Sequence, residues 1–446
     1  MAAPVVPDAV LVVGFGLTNR AVARALASRG HDVSVTDDRP TDATLAAAAE
    51  LDLDLVAAPS ESELETMVRA VGAVVPGPGL PDRHPVFALA ARTDTTVLTE
   101  FDLAAAWDDR PIAAITGTDG KTTVTTLVTA MLTEAGISCV DAGNNDLPLV
   151  AAIDDPAPEW FVVEASSFRL GRTHGWAPRV GAWLNLAPDH LDVHATHADY
   201  EEAKARIWAS QGPDDVSVGN LDDVTVARHL SASAGRRVGF SIHRSDAAYR
   251  VEGDTLVGPD GFLVPVTELP RRLPHDLSNA LAAAATASAA GADEQSVRRV
   301  LGRSVPLPHR VEHVAEIDGI DYYDDSKATV PHAALAAVRG FESVVLIAGG
   351  RNKGLDLGSL ADGADHIRAV VAIGDAAADI AAAFHGIRPV EHADSMSDAV
   401  EAAARAAQAG DVVLLSPACA SFDWYSDYAA RGDHFAALVL DRKARP

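Results

Sequence analysis

The chain has 446 residues, too many for one hydrophobic core, so two to four domains are expected. Its net charge of −27 argues against nucleic acid or an anionic membrane as a standing partner. Two distant cysteines (Cys139 and Cys419) make no disulfide framework, the N-terminus lacks the basic region of a signal peptide, and polar residues interrupt every apolar stretch. The default expectation is therefore a soluble cytoplasmic enzyme or binding protein.

Val10 to Val13 reads as a buried strand that runs into Gly14-Phe15-Gly16-Leu17-Thr18-Asn19. A helix over 20–28 and a strand over 32–36 follow, ending at Asp37-Asp38. This is a βαβ nucleotide-binding pattern with an acid about twenty residues past the glycines. Asn19 stands where the dinucleotide fingerprint has its third glycine, which weakens NAD and leaves open another nucleotide or a purely structural unit. A strand over 71–75 ends in Pro76-Gly77-Pro78-Gly79, a rigid loop at the strand end where open α/β sheets bind ligands.

Near Leu98 the pattern restarts. The apolar run 111–114 leads into Ile115-Thr116-Gly117-Thr118-Asp119-Gly120-Lys121-Thr122-Thr123, then a helical stretch over 124–135. Strand, glycine loop, Lys-Thr and helix form a phosphate cradle, with backbone N–H groups and a helix N-terminus facing the anion. Lys121 is placed to reach β/γ-phosphates and Thr122 to ligate Mg²⁺. Only Thr118 and Asp119 separate the first glycine from Gly120-Lys121, two residues fewer than in the usual motif; a plain glycine turn before a helix looks similar. Only five of the 36 basic residues are lysine: Lys121, Lys204, Lys327, Lys353 and Lys443. Four of them fall in chemically suggestive segments, and lysine and arginine are not equivalent where a compact or titratable amine is needed.

Gly143-Asn144-Asn145 reads as a loop. The strand over 160–163 delivers Glu164, followed by Ala165-Ser166-Ser167-Phe168; a carboxylate there suits Mg²⁺ or a cap. A strand over 180–186 leads to Asp189-His190-Leu191-Asp192, and a helix over 200–210 carries Lys204, which in isolation reads as a solvated helix lysine. Short strands without evident chemistry fill 214–266. Pro274 to Asn279 opens an alanine-rich helix whose N-terminal polar groups need partners, and 303–308 reads as a linker. Four further strands end in Asp324-Asp325-Ser326-Lys327-Ala328-Thr329, Ala348-Gly349-Gly350-Arg351-Asn352-Lys353, Gly374-Asp375 and Ser416-Pro417-Ala418-Cys419-Ala420-Ser421. They predict a parallel α/β domain whose functional edge is the strands' C-terminal side, although each loop alone is ordinary turn chemistry.

Together these segments resemble the ATP-dependent Mur ligases of peptidoglycan synthesis over essentially the whole chain. The resemblance rests on the short phosphate loop, Glu164 to Phe168, Asp189-His190, the helix lysine Lys204, Leu307-Pro308-His309-Arg310 and Asp325 to Thr329. Gly14 to Thr18, Asp325 to Thr329 and Ser416 to Ser421 resemble the branch that joins D-glutamate to UDP-N-acetylmuramoyl-L-alanine. The resemblance implies an α/β fold in three domains: a Rossmann-like UDP-sugar domain over 1–98, a P-loop ATP domain over 99–304 and a Rossmann-like amino-acid domain over 305–446. It implies ATP and Mg²⁺ as cofactors and a monomer with no nucleic-acid or membrane partner.

It also implies residue roles. Lys121, Glu164, His190, Lys204 and Lys327 would be catalytic. Thr122, Glu164, His190 and Lys204, the last as its carbamate, would hold Mg²⁺. Gly117, Thr118, Gly120, Lys121, Thr122, Thr123, Asn279, His309, Arg310 and Asp325 would bind ATP. Leu17, Thr18, Asp37, Asp38, Gly77, Asn144 and Ser166 would bind the UDP-sugar. Thr329, Lys353, Ser421, Phe422 and Tyr428 would hold glutamate. The chain departs from the family pattern at Asp119, Asp276 and Val330, each where asparagine is usual, and at Val193-His194, where an arginine-tyrosine pair is common. Three rivals remain: a folylpolyglutamate synthetase, against which the N-terminal glycine unit argues; a non-catalytic UDP-sugar-binding homologue; and an NAD-dependent dehydrogenase, which leaves the phosphate loop unexplained.

Overall fold

The computed structural model describes residues 4–190, 193–303 and 305–445. Leu191 and Asp192 of the Asp-His-Leu-Asp segment, and Ser304 of the expected linker, lie outside the described residues. Among the described residues the strands form three sheets of five, nine and six strands, each with helices between its parallel strands. Two compact units result. One holds the first two sheets and 278–303; the other holds the third sheet with 187–189 and 270–277. None of the described helices is long and apolar enough to cross a membrane.

The first sheet runs Leu55–Ala57, Asp32–Asp37, Ala9–Val13, Ala73–Pro76, Thr96–Val97, all parallel. The strand order reverses between Ala9–Val13 and Ala73–Pro76, so a crevice opens at their C-terminal ends, where the Gly14 and Gly77 loops begin. The central strand is buried at Val10, Leu11, Val12 and Val13, as expected for a strand covered on both faces. The helix Leu17–Ser28 starts three residues earlier than the apolar pattern implies, because Gly16 already turns the chain into it.

In the second sheet the strand Ile112–Thr116 lies between Val180–Trp183 and Trp160–Glu164, parallel to both. Ile115 is in register with Glu164, which sets the carboxylate beside the start of the phosphate loop. The far end of this sheet is antiparallel: Tyr249–Glu252, Thr255–Gly258 and Gly261–Pro265 form a meander. Its middle strand is too short and turn-flanked to stand out in the sequence. Another element not anticipated is the helix Glu294–Arg303, which buries Ser296, Val297 and Leu301.

The third sheet places Ile320–Asp324, Val412–Leu415, Val344–Gly349 and Ile367–Ile373 side by side and parallel, the four strands read from the sequence. Glu312–Ile317 adds an antiparallel edge and Val390–Ala393 a parallel one. One core packs on each face: Leu346 and Leu414 point into one, Val345, Ile347 and Val413 into the other. That alternation is the two-residue period of a strand covered on both sides.

Candidate active site

The phosphate loop is bounded by Thr116 at the end of its strand and by the helix Lys121–Glu134. Gly120 precedes that helix at φ 83°, a left-handed conformation suited to glycine, and no side chain caps the first turn. A Cβ added at Gly120 would lie 2.5 Å from Asn279 Oδ1, so the start of the alanine-rich helix sits directly against the loop. Asn185 holds the loop from the other side. Its Oδ1 accepts from Asp119 N at 2.9 Å, its Nδ2 donates to Asp119 O at 3.2 Å, and its carbonyl accepts from Thr118 N at 3.2 Å. With the loop so fixed, the open N–H groups of the helix start form an anion seat.

Two lysines converge on this seat. Lys121 Nζ donates to the carbonyls of Gly117 and Thr118, each at 2.8 Å. Lys204, on the helix His197–Ala209, donates to the same Gly117 carbonyl at 2.7 Å. Lys204 is 1% exposed and lies 4.6 Å from the Tyr200 ring centroid, so the solvated-lysine reading is corrected: its helix face is packed inward. The Tyr200 hydroxyl is 3.1 Å from Thr118 Oγ1. Thr122 and Thr123 are half-buried in the first helical turn.

Glu164 is 5% exposed, and its Oε1 accepts from Asn144 Nδ2 at 3.1 Å. No lysine, arginine or histidine pairs with it among the described residues, a setting that fits a divalent cation. His190 takes φ 57° and meets Phe168 edge-on at 4.6 Å between centroids. Asp189 is buried, and the Ser166 hydroxyl is buried with no hydrogen-bond partner among the described residues.

At the N-terminal glycine loop, Asp37 accepts from Phe15 N at 2.7 Å and from Arg39 N at 2.8 Å, so this acid braces the loop. Asp38 is exposed and pairs with His84 at 3.0 Å. Asn19, 1% exposed, explains the missing glycine. Its amide nitrogen lies within hydrogen-bond reach of the carbonyls of Val13, Gly14 and Val75, tying the two central strand ends together. Leu17 is exposed at the helix start and Thr18 is buried beside it. A cleft of about 330 Å³ opens here, lined by Asn19, Gly77, Phe168, Arg169, His194 and Arg206 among others.

The third sheet gathers its four loops through backbone hydrogen bonds. Ala418 N donates to Ala328 O at 2.9 Å, Gly349 N to Pro417 O at 2.8 Å, Arg351 N to Ala420 O at 2.8 Å and Ala376 N to Gly350 O at 2.9 Å. Thr329, Lys353 and Ser421 thus belong to one loop cluster, with Ser421 buried, Thr329 half-buried and Lys353 exposed. Phe422 is 60% exposed, and Lys327 Nζ stands 3.8 Å from the Tyr428 ring centroid. His309 Nδ1 is 2.7 Å from Asp324 Oδ2, and the neighbouring Arg310 is half-buried. Asp325 is buried and both its oxygens accept within the fold, from Ser416 Oγ at 2.6 Å and Val311 N at 3.2 Å. Burial pushes its carboxyl up to about 7.

Sequence reasoning missed the groups that join the first two sheets across the cleft. Arg169 pairs with Glu100 and donates to Thr18 Oγ1. Asp82 pairs with Arg172 and lies 3.5 Å from His194 Nδ1, while His194 Nε2 is 3.0 Å from Ser167 Oγ. Burial lowers the His194 pKa. The segment Phe168-Arg169 follows directly on Glu164 to Ser167, so its position in the motif was the available signal; its partners lie far away in sequence.

The chain matches the Mur ligase middle domain over residues 115–287 and the Mur ligase, glutamate ligase domain over 309–419. It is 46% identical to the UDP-N-acetylmuramoylalanine–D-glutamate ligase of Frankia casuarinae, covering 97% of this chain and 94% of that protein. It is 39% identical to the protein of the same name in Pelotomaculum thermopropionicum, over 97% and 98% respectively. A solved pseudomurein peptide ligase type C from Methanothermus fervidus shares the fold at a TM-score of 0.62 and 17% identity, covering 98% of this chain and all of that one.

Proposed function

The chain belongs to the Mur ligase family, and from that membership we infer that it joins D-glutamate to UDP-N-acetylmuramoyl-L-alanine by ATP-dependent amide formation in peptidoglycan precursor synthesis. The observation that carries the chemistry is the phosphate loop with Lys121, Lys204 and Glu164 gathered at one seat. The reaction transfers the γ-phosphoryl group to the substrate carboxylate. The amine of glutamate then attacks the acyl carbon, and the C–O bond to phosphate breaks to leave an amide and inorganic phosphate.

Lys121 and the loop N–H groups hold the transferring phosphoryl group, whose charge rests mainly on its peripheral oxygens. Thr122, Glu164, His190 and Lys204 as its carbamate would hold Mg²⁺, which supplies neutralisation of phosphate and carboxylate charge. The buried carboxylate of Glu164, which pairs with no cationic side chain among the described residues, suits that task. Two ammonium groups donating to the one Gly117 carbonyl place like charges together, and a carbamate at Lys204 reverses one of them. His190 positions the incoming amine or takes its proton.

Asn279 is assigned to ATP in the unit of the phosphate loop, and His309, Arg310 and Asp325 are assigned to it in the other unit, where Lys327 is assigned to catalysis. Leu17, Thr18, Asp37, Asp38, the Gly77 loop, Asn144 and Ser166 bind the UDP-sugar. Thr329, Lys353, Ser421, Phe422 and Tyr428 receive glutamate, whose two carboxylates need a cation and several neutral donors. The protein works in the cytoplasm as a monomer. The test is phosphate release from ATP with each substrate omitted in turn. Release that requires both UDP-N-acetylmuramoyl-L-alanine and D-glutamate supports this function; release indifferent to either, or a preference for L-glutamate, overturns the named reaction.

A further inference from the structure

The cleft at the N-terminal glycine loop contains a buried cation that neither glycine loop supplies. Arg169 comes from the short helix Ser167–Leu170 and is 6% exposed. Its Nη1 pairs with Glu100, its Nη2 donates to Thr18 Oγ1 at 2.9 Å, and its Nε is buried with no partner among the described residues. Glu100 is held in turn by Val150 N at 3.2 Å. Burial raises the Glu100 carboxyl against the opposing pull of the guanidinium, and the contact with Arg169 is anchored on both sides.

The anchored pair fixes one hydroxyl. Thr18 is buried, and Arg169 occupies a lone pair on its oxygen. The Thr18 proton has no acceptor among the described residues and remains available as a donor. Thr18 lies in the first turn of the helix Leu17–Ser28, which has neither a side-chain cap at Gly16 nor an acid in that turn. Helix N–H groups at an uncapped first turn and an oriented hydroxyl donor beside a buried guanidinium match an anion with several oxygens. The crevice at the strand-order reversal is where a nucleotide's phosphates sit in such sheets.

We propose that Arg169 is a positioning residue for the diphosphate of the UDP-sugar, acting by setting the Thr18 hydroxyl as a donor. The proposal rests on the ligase reading for the identity of the nucleotide sugar. It makes Arg169 a device by which the phosphate-loop sheet contributes to the nucleotide-sugar site on the neighbouring sheet.

The test uses Thr18→Val, Thr18→Ser, Arg169→Lys and the paired change Arg169→Leu with Glu100→Gln. The paired change removes both buried charges together, because Arg169→Leu alone would leave Glu100 unpaired. Steady-state KM is measured for all three substrates, and binding of UDP and UMP by calorimetry. Thr18→Val and the paired change should raise the KM for the UDP-sugar about tenfold or more, the scale of a lost hydrogen bond to a charged group, with unchanged KM for ATP and D-glutamate. Thr18→Ser and Arg169→Lys should recover part of the loss, and UDP should lose more affinity than UMP. An unchanged UDP-sugar KM in Thr18→Val, or equal rises in all three KM values, overturns the proposal while leaving the ligase reading intact. UDP binding that is lost in the variants of a parent forming no amide supports the proposal while the ligase reading fails.

Discussion

Two loops of one compact unit, Gly14 to Asn19 and Gly117 to Thr123, begin from the same design and acquire charge differently. Each joins a buried parallel strand to a helix with no side-chain cap, through a glycine of positive φ (79° at Gly14, 83° at Gly120). The second loop carries its own cation, Lys121, which folds back on the loop carbonyls, and also receives Lys204 from the helix His197–Ala209, 87 residues from Gly117. In the first loop Arg20 folds back to Phe15 O, Asn19 serves as a tie between strands, and the buried guanidinium comes from Arg169, 151 residues away. A loop that carries one cation of its own is recognisable as a motif even though it imports a second. A loop that imports its charge becomes readable only once the sheets are placed.

That contrast can be broken at its strongest point first. Lys121→Ala should leave the fold intact and lower kcat by on the order of 10²–10³ or more, since a point charge on the transferring phosphoryl group is lost. Substantial turnover in a folded variant would move the phosphate site elsewhere. Lys204→Arg is next. If the carbamate is the working form, arginine cannot replace it, and Lys204→Arg should be as inactive as Lys204→Ala. Near-parental activity would reduce Lys204 to a packing residue hydrogen-bonded to Gly117.

The glycines sharpen the comparison in stability rather than rate. Gly120→Ala forces a left-handed alanine against Asn279 and should cost about 1–3 kcal/mol in denaturant unfolding. Gly16 is extended, and an added Cβ there meets nothing within 4 Å, so Gly16→Ala should cost under about 1 kcal/mol. It should nonetheless raise the KM for the UDP-sugar, because the methyl group stands where an anion approaches the helix. Equal destabilisation by the two changes would contradict the assigned backbone roles.

A pH-dependent effect serves as a control in the other compact unit. Asp325 titrates at about 7 in the folded state, above the unfolded carboxylate value of about 3.9. Between those values the folded chain keeps a proton that the unfolded chain has released. This group's contribution to stability is therefore greatest at low pH, falls as pH rises from about 4 to about 7, and is constant above that. Asp325→Asn should flatten that dependence in unfolding curves taken at pH 5 and pH 8. Identical pH slopes in parent and variant would show that Asp325 does not titrate in this window.

The sequence is most legible where function and local geometry coincide. The four strand ends of the third sheet were readable because each apolar run stops at small or polar residues, and the loops do bond to one another. Glu164 is legible as a strand-end carboxylate because the apolar run 160–163 stops there, and the structure sets that strand beside the phosphate-loop strand. Taken alone, Lys204 reads as solvated because its helix mixes charged and apolar residues without a clear stripe, and only packing turns that face inward. Thr255–Gly258 and Glu294–Arg303 escaped notice for a related reason: a four-residue strand and a strongly polar helix carry little apolar signal. The Arg169–Glu100–Thr18 and Asp82–Arg172–His194 clusters depend on contacts tens of residues or more apart in sequence, beyond the reach of any local pattern.

The central claim is that ATP activates the substrate carboxylate as an acyl phosphate at the Lys121 loop before glutamate attacks. UDP-N-acetylmuramoyl-L-alanine labelled with ¹⁸O in its terminal carboxylate, turned over with ATP and D-glutamate, tests it in one mass spectrum of the released phosphate. Transfer of one labelled oxygen from each consumed carboxylate to inorganic phosphate is the result this mechanism requires. Unlabelled phosphate accompanying labelled water, or label recovered in AMP, would contradict it.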